Sequence, residues 1–387
     1  MILTHIYLDN AATTPMAQPV IDTMMAQMQQ DFGNPSSTHW FGREAHTVMD
    51  AAHATLAKSI GAKPTEIVLT SGATEANNTA IMQTAHKRAS LGKHIITTAI
   101  EHPSVLKPMA ALEQEGFNVT YLPVDENGEI SLADFDAALD DDTILVSIML
   151  GNNEVGSRQP IAEIGARLAD HQAWFHTDAT QAYGLLDIDV NALQVDMLSV
   201  SAHKINGPKG IGFLYRREGI NFPSFLKGGE QETKRRAGTE NPPAVAGFAE
   251  AVRLITPQEK ADRQAKYFGF KKQIIDSLTG AGIDFKVNGP LKEDALNHVL
   301  NLWFPGVSTY ALQTNLDLAG FAISGGSACT AGSMEPSHVL TAMYGADSPR
   351  IAESIRISFG AFTTVMDIAQ FIDALEKIVT RLHSKTH

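Results

Sequence analysis

Between about residue 65 and residue 217, short apolar runs of β type alternate with segments of helical period, and no other feature of the chain constrains its fold as strongly. The pattern predicts strands over Ile67–Thr70, His94–Ala99, Val119–Val124, Ile144–Leu150, Trp174–His176, Met197–Val200 and Gly212–Tyr215. Apolar residues recur at helical spacing between them, over Glu75–Ala89, Val105–Glu115, Leu132–Leu139 and Ile161–His171. Such alternation implies an α/β domain with a mostly parallel sheet covered by helices on both faces. Ligands of such sheets sit beyond the carboxyl ends of the strands, so the residues that end these runs are the ones to inspect.

After Pro242-Pro243 the pattern changes. A helical stretch over roughly Ala244–Leu278 leads to fewer strands (Val299–Phe304, Phe321–Ser324, Ile355–Ser358) and a closing helix from about Thr364 to His383. The expected organisation is a large domain over residues 15–255 and a smaller α+β domain formed by residues 1–14 and 256–387, with the boundary inside a helix. At 387 residues the chain is long enough for both to have a core.

Three strand ends carry chemistry-bearing residues. Thr70-Ser71-Gly72-Ala73-Thr74-Glu75 closes a strand and opens a helix, and a glycine-containing turn there presents free N–H groups and the positive end of the helix dipole. It reads either as a phosphate site or as an ordinary capped helix start. Asp178 ends the run from Trp174, where an unpaired buried carboxylate would be costly. A protonated pyridine nitrogen would suit it, and capping of the next helix is the plainer alternative. Lys204, after Ser199-Val200-Ser201-Ala202-His203, is poorly placed for solvent and well placed to form an imine with an aldehyde cofactor, Ser201 and His203 flanking it as phosphate ligands. A lysine in a loop is usually just solvated. Together, in chain order, a phosphate cradle, an acid and a lysine at the ends of one sheet suit pyridoxal 5'-phosphate.

The motifs then carry a resemblance. Tyr7-Leu8-Asp9-Asn10-Ala11-Ala12-Thr13-Thr14-Pro15, Phe32-Gly33-Asn34-Pro35-Ser36-Ser37, Glu101-His102, Asn152-Asn153-Glu154, Asp178-Ala179-Thr180-Gln181, Ser201-Ala202-His203-Lys204, Arg236-Ala237-Gly238-Thr239-Glu240-Asn241 and Ser354-Ile355-Arg356-Ile357-Ser358 span nearly the whole chain. Ser327-Ala328-Cys329-Thr330-Ala331-Gly332-Ser333 discriminates most. In these motifs the chain resembles the cysteine desulfurases, the class-V aminotransferase group of nitrogen-fixation and housekeeping iron–sulfur enzymes within the fold-type-I pyridoxal-phosphate superfamily.

The resemblance implies roles for individual residues. Lys204 would be the Schiff-base lysine, Asp178 the partner of the pyridine nitrogen, and His102 the imidazole stacked on the ring and a candidate acid/base. Asn153 and Gln181 would lie near the ring hydroxyl. Ala73, Thr74, Ser201 and His203 would bind the phosphate, with Thr239 reaching in from the second subunit of a homodimer. Arg356 would clamp the carboxylate of L-cysteine, a bidentate task suited to guanidinium, with Asn34 near the same end of the substrate. Cys329 would take the sulfur as a persulfide and pass it to an acceptor protein for iron–sulfur cluster assembly or tRNA thiolation. Taken singly, His102 could be a loop histidine and Arg356 a solvent-side charge.

Glu230 stands in Gly228-Gly229-Glu230 where relatives usually carry a third glycine, a strained choice if that position needs φ > 0. Thr233-Lys234 replaces the more usual Arg-Gly, and Gly325 stands where serine is common.

Cys329 is the only cysteine, which excludes an internal disulfide, a C-x-x-C pair and a cysteine-ligated cluster; no resident metal is expected. A lone cysteine is often a small buried hydrophobe. The small residues flanking this one gain little from being ordered, and a mobile loop is predicted. The formal net charge of -13 argues against nucleic acid or an anionic membrane as primary partner. Without a basic n-region and apolar stretch at the start, the chain reads as cytoplasmic. Two other readings stay open: another fold-type-I enzyme, such as an aminotransferase or selenocysteine lyase, and a non-catalytic scaffold of the same fold.

Overall fold

The computed structural model describes residues 5–30, 32–325 and 336–384. Its strands, in chain order, are β1 (Ile6–Tyr7), β2 (Ile67–Thr70), β3 (His94–Thr98), β4 (Asn118–Leu122), β5 (Thr143–Ser147), β6 (Trp174–Asp178), β7 (Met197–Ser201), β8 (Gly212–Arg216), β9 (Lys286–Asn288), β10 (Val299–Trp303), β11 (Phe321–Ala322) and β12 (Ser354–Ser358).

Seven of them form one sheet in the order β2-β8-β7-β6-β5-β3-β4. Every pairing is parallel except those of β8, which runs against both β2 and β7. The link from β7 to β8, residues 202–211, is shorter than the dozen or so residues a parallel crossover needs, so the chain turns back on itself. Alternate side chains leave opposite faces. Ile67, Leu69, Leu198 and Val200 enter one core, with Phe175, Phe213 and Phe248. Val68, Ile95, Met197 and Leu214 enter the other, against Ala76, Ala80 and Ile81 of the helix Ala73–Arg88 and Val105 and Met109 of the helix Pro103–Gln114.

A separate core surrounds the antiparallel sheet β12-β10-β9. Leu300, Leu302, Ile355 and Ile357 pack there with Tyr267, Phe270 and Ile274 and with Phe371, Leu375 and Val379. Ile6 and Leu8 belong to the same core, because β1 pairs with β11 and Asp9 bridges to Ser358.

The structure departs from the sequence reading in three places. The helix expected over 244–278 is two, Pro242–Arg253 and Pro257–Gly280, and residue 255 lies between them rather than inside a helix. Thr256 caps the second by accepting from the Glu259 N–H at 3.1 Å, and Pro257 starts it, which stops a continuous helix. Helices Gln18–Gln30 and Trp40–Lys58 were not anticipated. Glu230 sits at φ -98°, without strain; positive φ falls instead on Glu232 (49°), Thr233 (56°) and Lys234 (66°).

Candidate active site

The parallel strands end on one edge of the large sheet, and a cavity of about 640 Å³ opens there. Of the residues singled out in the sequence, Ala73, Thr74, His102, Asn153, Asp178, Gln181, Ser201, His203, Lys204 and Arg356 all line it. Asn34 and Thr239 do not; both are exposed on this chain. Cys329 lies outside the described residues, as does the loop expected to be mobile. The residues that flank residues 326–335 are at the cavity nonetheless. Ser324 exchanges backbone hydrogen bonds with Arg356, and Pro336 and His338 are in the cavity wall.

At the β2 end, Gly72 precedes the helix Ala73–Arg88 with φ 146°, a backbone conformation that needs glycine. The first turn of that helix aims N–H groups without intrahelical acceptors outward, Ala73 and Thr74 among them. Across from it a Cβ on Gly212 would lie 2.8 Å from the Gly72 Cα, so only glycine lets β8 approach so closely. Ser201, at the end of β7, faces the same turn, and a Cβ on Gly72 would stand 3.5 Å from its Oγ. The neighbouring His203 accepts or donates through Nδ1 to Thr13 Oγ1 at 3.1 Å, and burial with Lys204 and Lys209 nearby brings its pKa down to about 4. A neutral imidazole beside a helix N-terminus is a hydrogen-bonding rather than an ionic group for an anion.

Asp178 ends β6, buried, and its carboxylate accepts from Asn77 Nδ2 at 2.7 Å and from the Thr180 N–H at 2.9 Å. Asn77 Nδ2 also donates to Ser104 Oγ at 2.8 Å, and Ser104 Oγ lies 2.8 Å from His102 Nδ1. Because Nδ1 accepts the Ser104 N–H at 3.1 Å, the neutral ring of His102 carries its proton on Nε2. Burial pulls the His102 pKa below its usual value, and Lys204 and His338 act in the same sense against Asp178. An acid at a strand end is thus joined by hydrogen bonds to the imidazole across the cavity. Glu101, the residue before it, is wholly buried and pushed up to about 8 by that burial; it accepts from Thr98 Oγ1 and from the Met149 N–H, both at 2.8 Å.

Lys204 closes a single 3-10 turn, Ala202–Lys204, and its Nζ donates to the carbonyls of Ala11 at 2.5 Å and Ala12 at 2.8 Å. Gln181 Nε2 donates to the same Ala11 carbonyl at 3.0 Å. The N-terminal segment therefore forms a floor under the amine. Arg356, 1% exposed on β12, donates to Asp9 Oδ1 at 2.8 Å and to the Asn153 carbonyl at 3.0 Å, while its Nε has no partner among the described residues.

Sequence reasoning gave no role to Asn77, Ser104, Asp9 or the Ala11 carbonyl. Asn77 had a legible signal, a fully buried amide on the face of the helix Ala73–Arg88 that Ala76, Ala80 and Ile81 otherwise make apolar. Backbone carbonyls carry no signal in a sequence.

The donor set suits pyridoxal phosphate: first-turn N–H groups with Ser201 and His203 for a phosphate, a buried carboxylate for a pyridinium, and an amine held by two carbonyls for the aldehyde. The cavity is within the usual size of a cofactor site.

The aminotransferase class-V family profile matches residues 6–371. A protein of Bacillus subtilis (strain 168), provisionally named a cysteine desulfurase IscS, is 54% identical over 380 residues, 98% of this chain and 100% of that protein. The cysteine desulfurase IscS of Dictyoglomus turgidum is 42% identical over 382 residues, 98% of this chain and 96% of that one. A solved structure described as SspA in complex with cysteine is 37% identical, covering 92% of this chain and 99% of its own with a TM-score of 0.81.

Proposed function

The chain belongs to the class-V aminotransferase family, and from that premise we propose how its own residues move sulfur from L-cysteine to Cys329. It is a pyridoxal-phosphate-dependent cysteine desulfurase, with L-cysteine as substrate. The observation that carries the residue assignment is the convergence of Lys204, Asp178, His102 and Arg356 on one cavity.

Lys204 would hold the cofactor through its amine. Ala73, Thr74, Ser201 and His203 would hold the phosphate, and Asp178 would keep the pyridine nitrogen protonated. His102 would cover one face of the ring, with Asn153 and Gln181 at the ring oxygen. Bound there, pyridoxal phosphate supplies an electron sink for the pair left when Cα loses its proton. Arg356 receives the substrate carboxylate. Lys204 takes the Cα proton and His102 stands ready as acid or base. Cys329, as thiolate, attacks the substrate sulfur. The Cβ–S bond breaks as the S–S bond forms, Cβ gains a proton, Cα regains the one it lost, and alanine leaves. With L-cysteine as sole substrate and no 2-oxo acid added, alanine and transferred sulfur should appear in equal amounts. A strict need for a 2-oxo acid would favour an aminotransferase.

The sulfur then passes to an acceptor protein of iron–sulfur cluster assembly or tRNA thiolation, in the cytoplasm. The two cores support a large domain over residues 15–255 and a small one over 1–14 and 256–387. A homodimer is supported by an exposed aromatic cluster, in which Phe32 and Trp40 lie 5.0 and 4.9 Å from Phe41 between ring centroids. Arg236, three residues before the exposed Thr239, grips Glu75 at 2.8 and 3.2 Å, yet Thr239 itself does not line its own chain's cavity. Thr239 then acts in the partner's site.

Mixing Lys204→Ala with Thr239→Val and re-associating the subunits checks this. In a trans arrangement each heterodimer has one intact site, and random pairing restores about a quarter of the sites. Activity no greater than the sum of the two variants, with heterodimers demonstrated, would place Thr239 in its own chain's site or in none.

A further inference from the structure

Behind the floor of the site lies a second, smaller cavity of about 30 Å³, room for about two waters, and Lys204 and Gln181 line both cavities. His298 stands in its wall, buried, directly before β10. Its Nε2 lies 2.8 Å from Gln181 Oε1, while the other end of the same amide donates to the Ala11 carbonyl. A backbone carbonyl only accepts, so the amide can have just one orientation there. Oε1 then faces His298, and the His298 Nε2 must carry the hydrogen. His298 Nδ1 has no partner among the described residues, which leaves room for a water on it in the small cavity.

We infer that His298 is a positioning residue for Gln181, holding its amide by the oxygen end so that the remaining N–H points to the cofactor's ring oxygen. This rests on the proposed place of Gln181 beside that oxygen. Gln181 is 8% exposed, and without His298 its Oε1 would be a buried acceptor with nothing to accept. The side chain would then swing or flip, and the N–H would leave the ring oxygen. Burial, with Lys271, Lys204 and Arg356 around it, keeps the imidazole neutral, with a pKa brought down to about 3. The ring therefore offers one donor, in one direction, across the working pH range.

The pH midpoint of the visible absorption band of the holoenzyme reads this contact directly. An N–H given to the ring oxygen favours its anionic form, so loss of that bond makes the proton shared between the oxygen and Lys204 harder to remove. Gln181→Leu and His298→Leu should each raise the midpoint by about one pH unit. His298→Gln, which can place an amide N–H where Nε2 stood, should keep the wild-type midpoint. The double variant should match Gln181→Leu alone, because His298 acts only through Gln181. Should His298→Leu not fold, His298→Asn makes the same comparison, since its shorter amide supplies no donor at the Nε2 position. A wild-type midpoint in the variant lacking the donor, or shifts that add in the double variant, would overturn the role of His298. An unmoved midpoint in Gln181→Leu would instead overturn the reading of Gln181 on which it rests.

Discussion

In Cys329→Ser the enzyme is expected to keep its cofactor and bind L-cysteine, yet transfer no sulfur. A thiol ionises near pH 8.5 when unperturbed and supplies some thiolate at neutrality, whereas a serine hydroxyl supplies no comparable nucleophile for a sulfur atom. The flanks support a direct role, since Ser324 is laddered to Arg356 and Pro336 and His338 stand in the cavity wall. Mass spectrometry of wild type after exposure to cysteine should find one added sulfur. It must map to Cys329, because the chain has no other cysteine. Release of sulfide and alanine by Cys329→Ser at the wild-type rate would mean that sulfur leaves without a protein persulfide, and a direct lyase would be the better description.

Lys204→Ala should have the other large effect. The substitution removes both the group that would tether the cofactor and the base proposed for Cα, and the base alone is worth roughly 10²- to 10⁴-fold in rate. The variant should surrender its cofactor on gel filtration, and borohydride should fix the cofactor to wild type but not to the variant. The structure gives this lysine a specific seat, because two carbonyls direct its Nζ to one place at the end of β7. Cofactor fixed by borohydride to another lysine in Lys204→Ala would dismiss the assignment.

The order and type of elements in the large sheet could be read from the chain because alternation of strand and helix leaves few topologies. The reversed direction of β8 was not read, although the short link after β7 implies it. The break at Thr256-Pro257 is also written in the sequence, as a capping residue followed by a helix-starting proline, against an apolar period that runs on through it. The two-residue strand β1 had no local signal, since it exists only through pairing with β11. The site divides in the same way. Lys204 and Asp178 carry charge at strand ends, where burial makes them conspicuous, whereas Arg356 in an alternating strand is marked only by the resemblance. Asn77 and His298 act through neighbours that are remote in sequence, and a neutral amide or imidazole among apolar residues does not announce its partner. Glu230 shows the converse, a conspicuous departure whose backbone proves ordinary.

The floor beneath Lys204 also sets an order of events during synthesis. The large sheet is complete in sequence once β8 ends at Arg216. The Ala11 and Ala12 carbonyls that seat the lysine are made well before the sheet, but their segment is also fastened by residues made well after it. Ser358 Oγ takes the Ala11 N–H at 2.9 Å, Asn10 Nδ2 reaches the Ser358 carbonyl at 3.0 Å, and Arg356 pairs with Asp9. A nascent chain halted after Arg216 would thus have its sheet and its lysine, but would lack Arg356 for the substrate and the Ser358 contacts that complete the seat of the amine. Such long-range closure is slow and comes late. Capture of the cofactor in finished form then waits until β12 has left the ribosome, so a chain truncated before Ser354 should emerge folded in part and colourless.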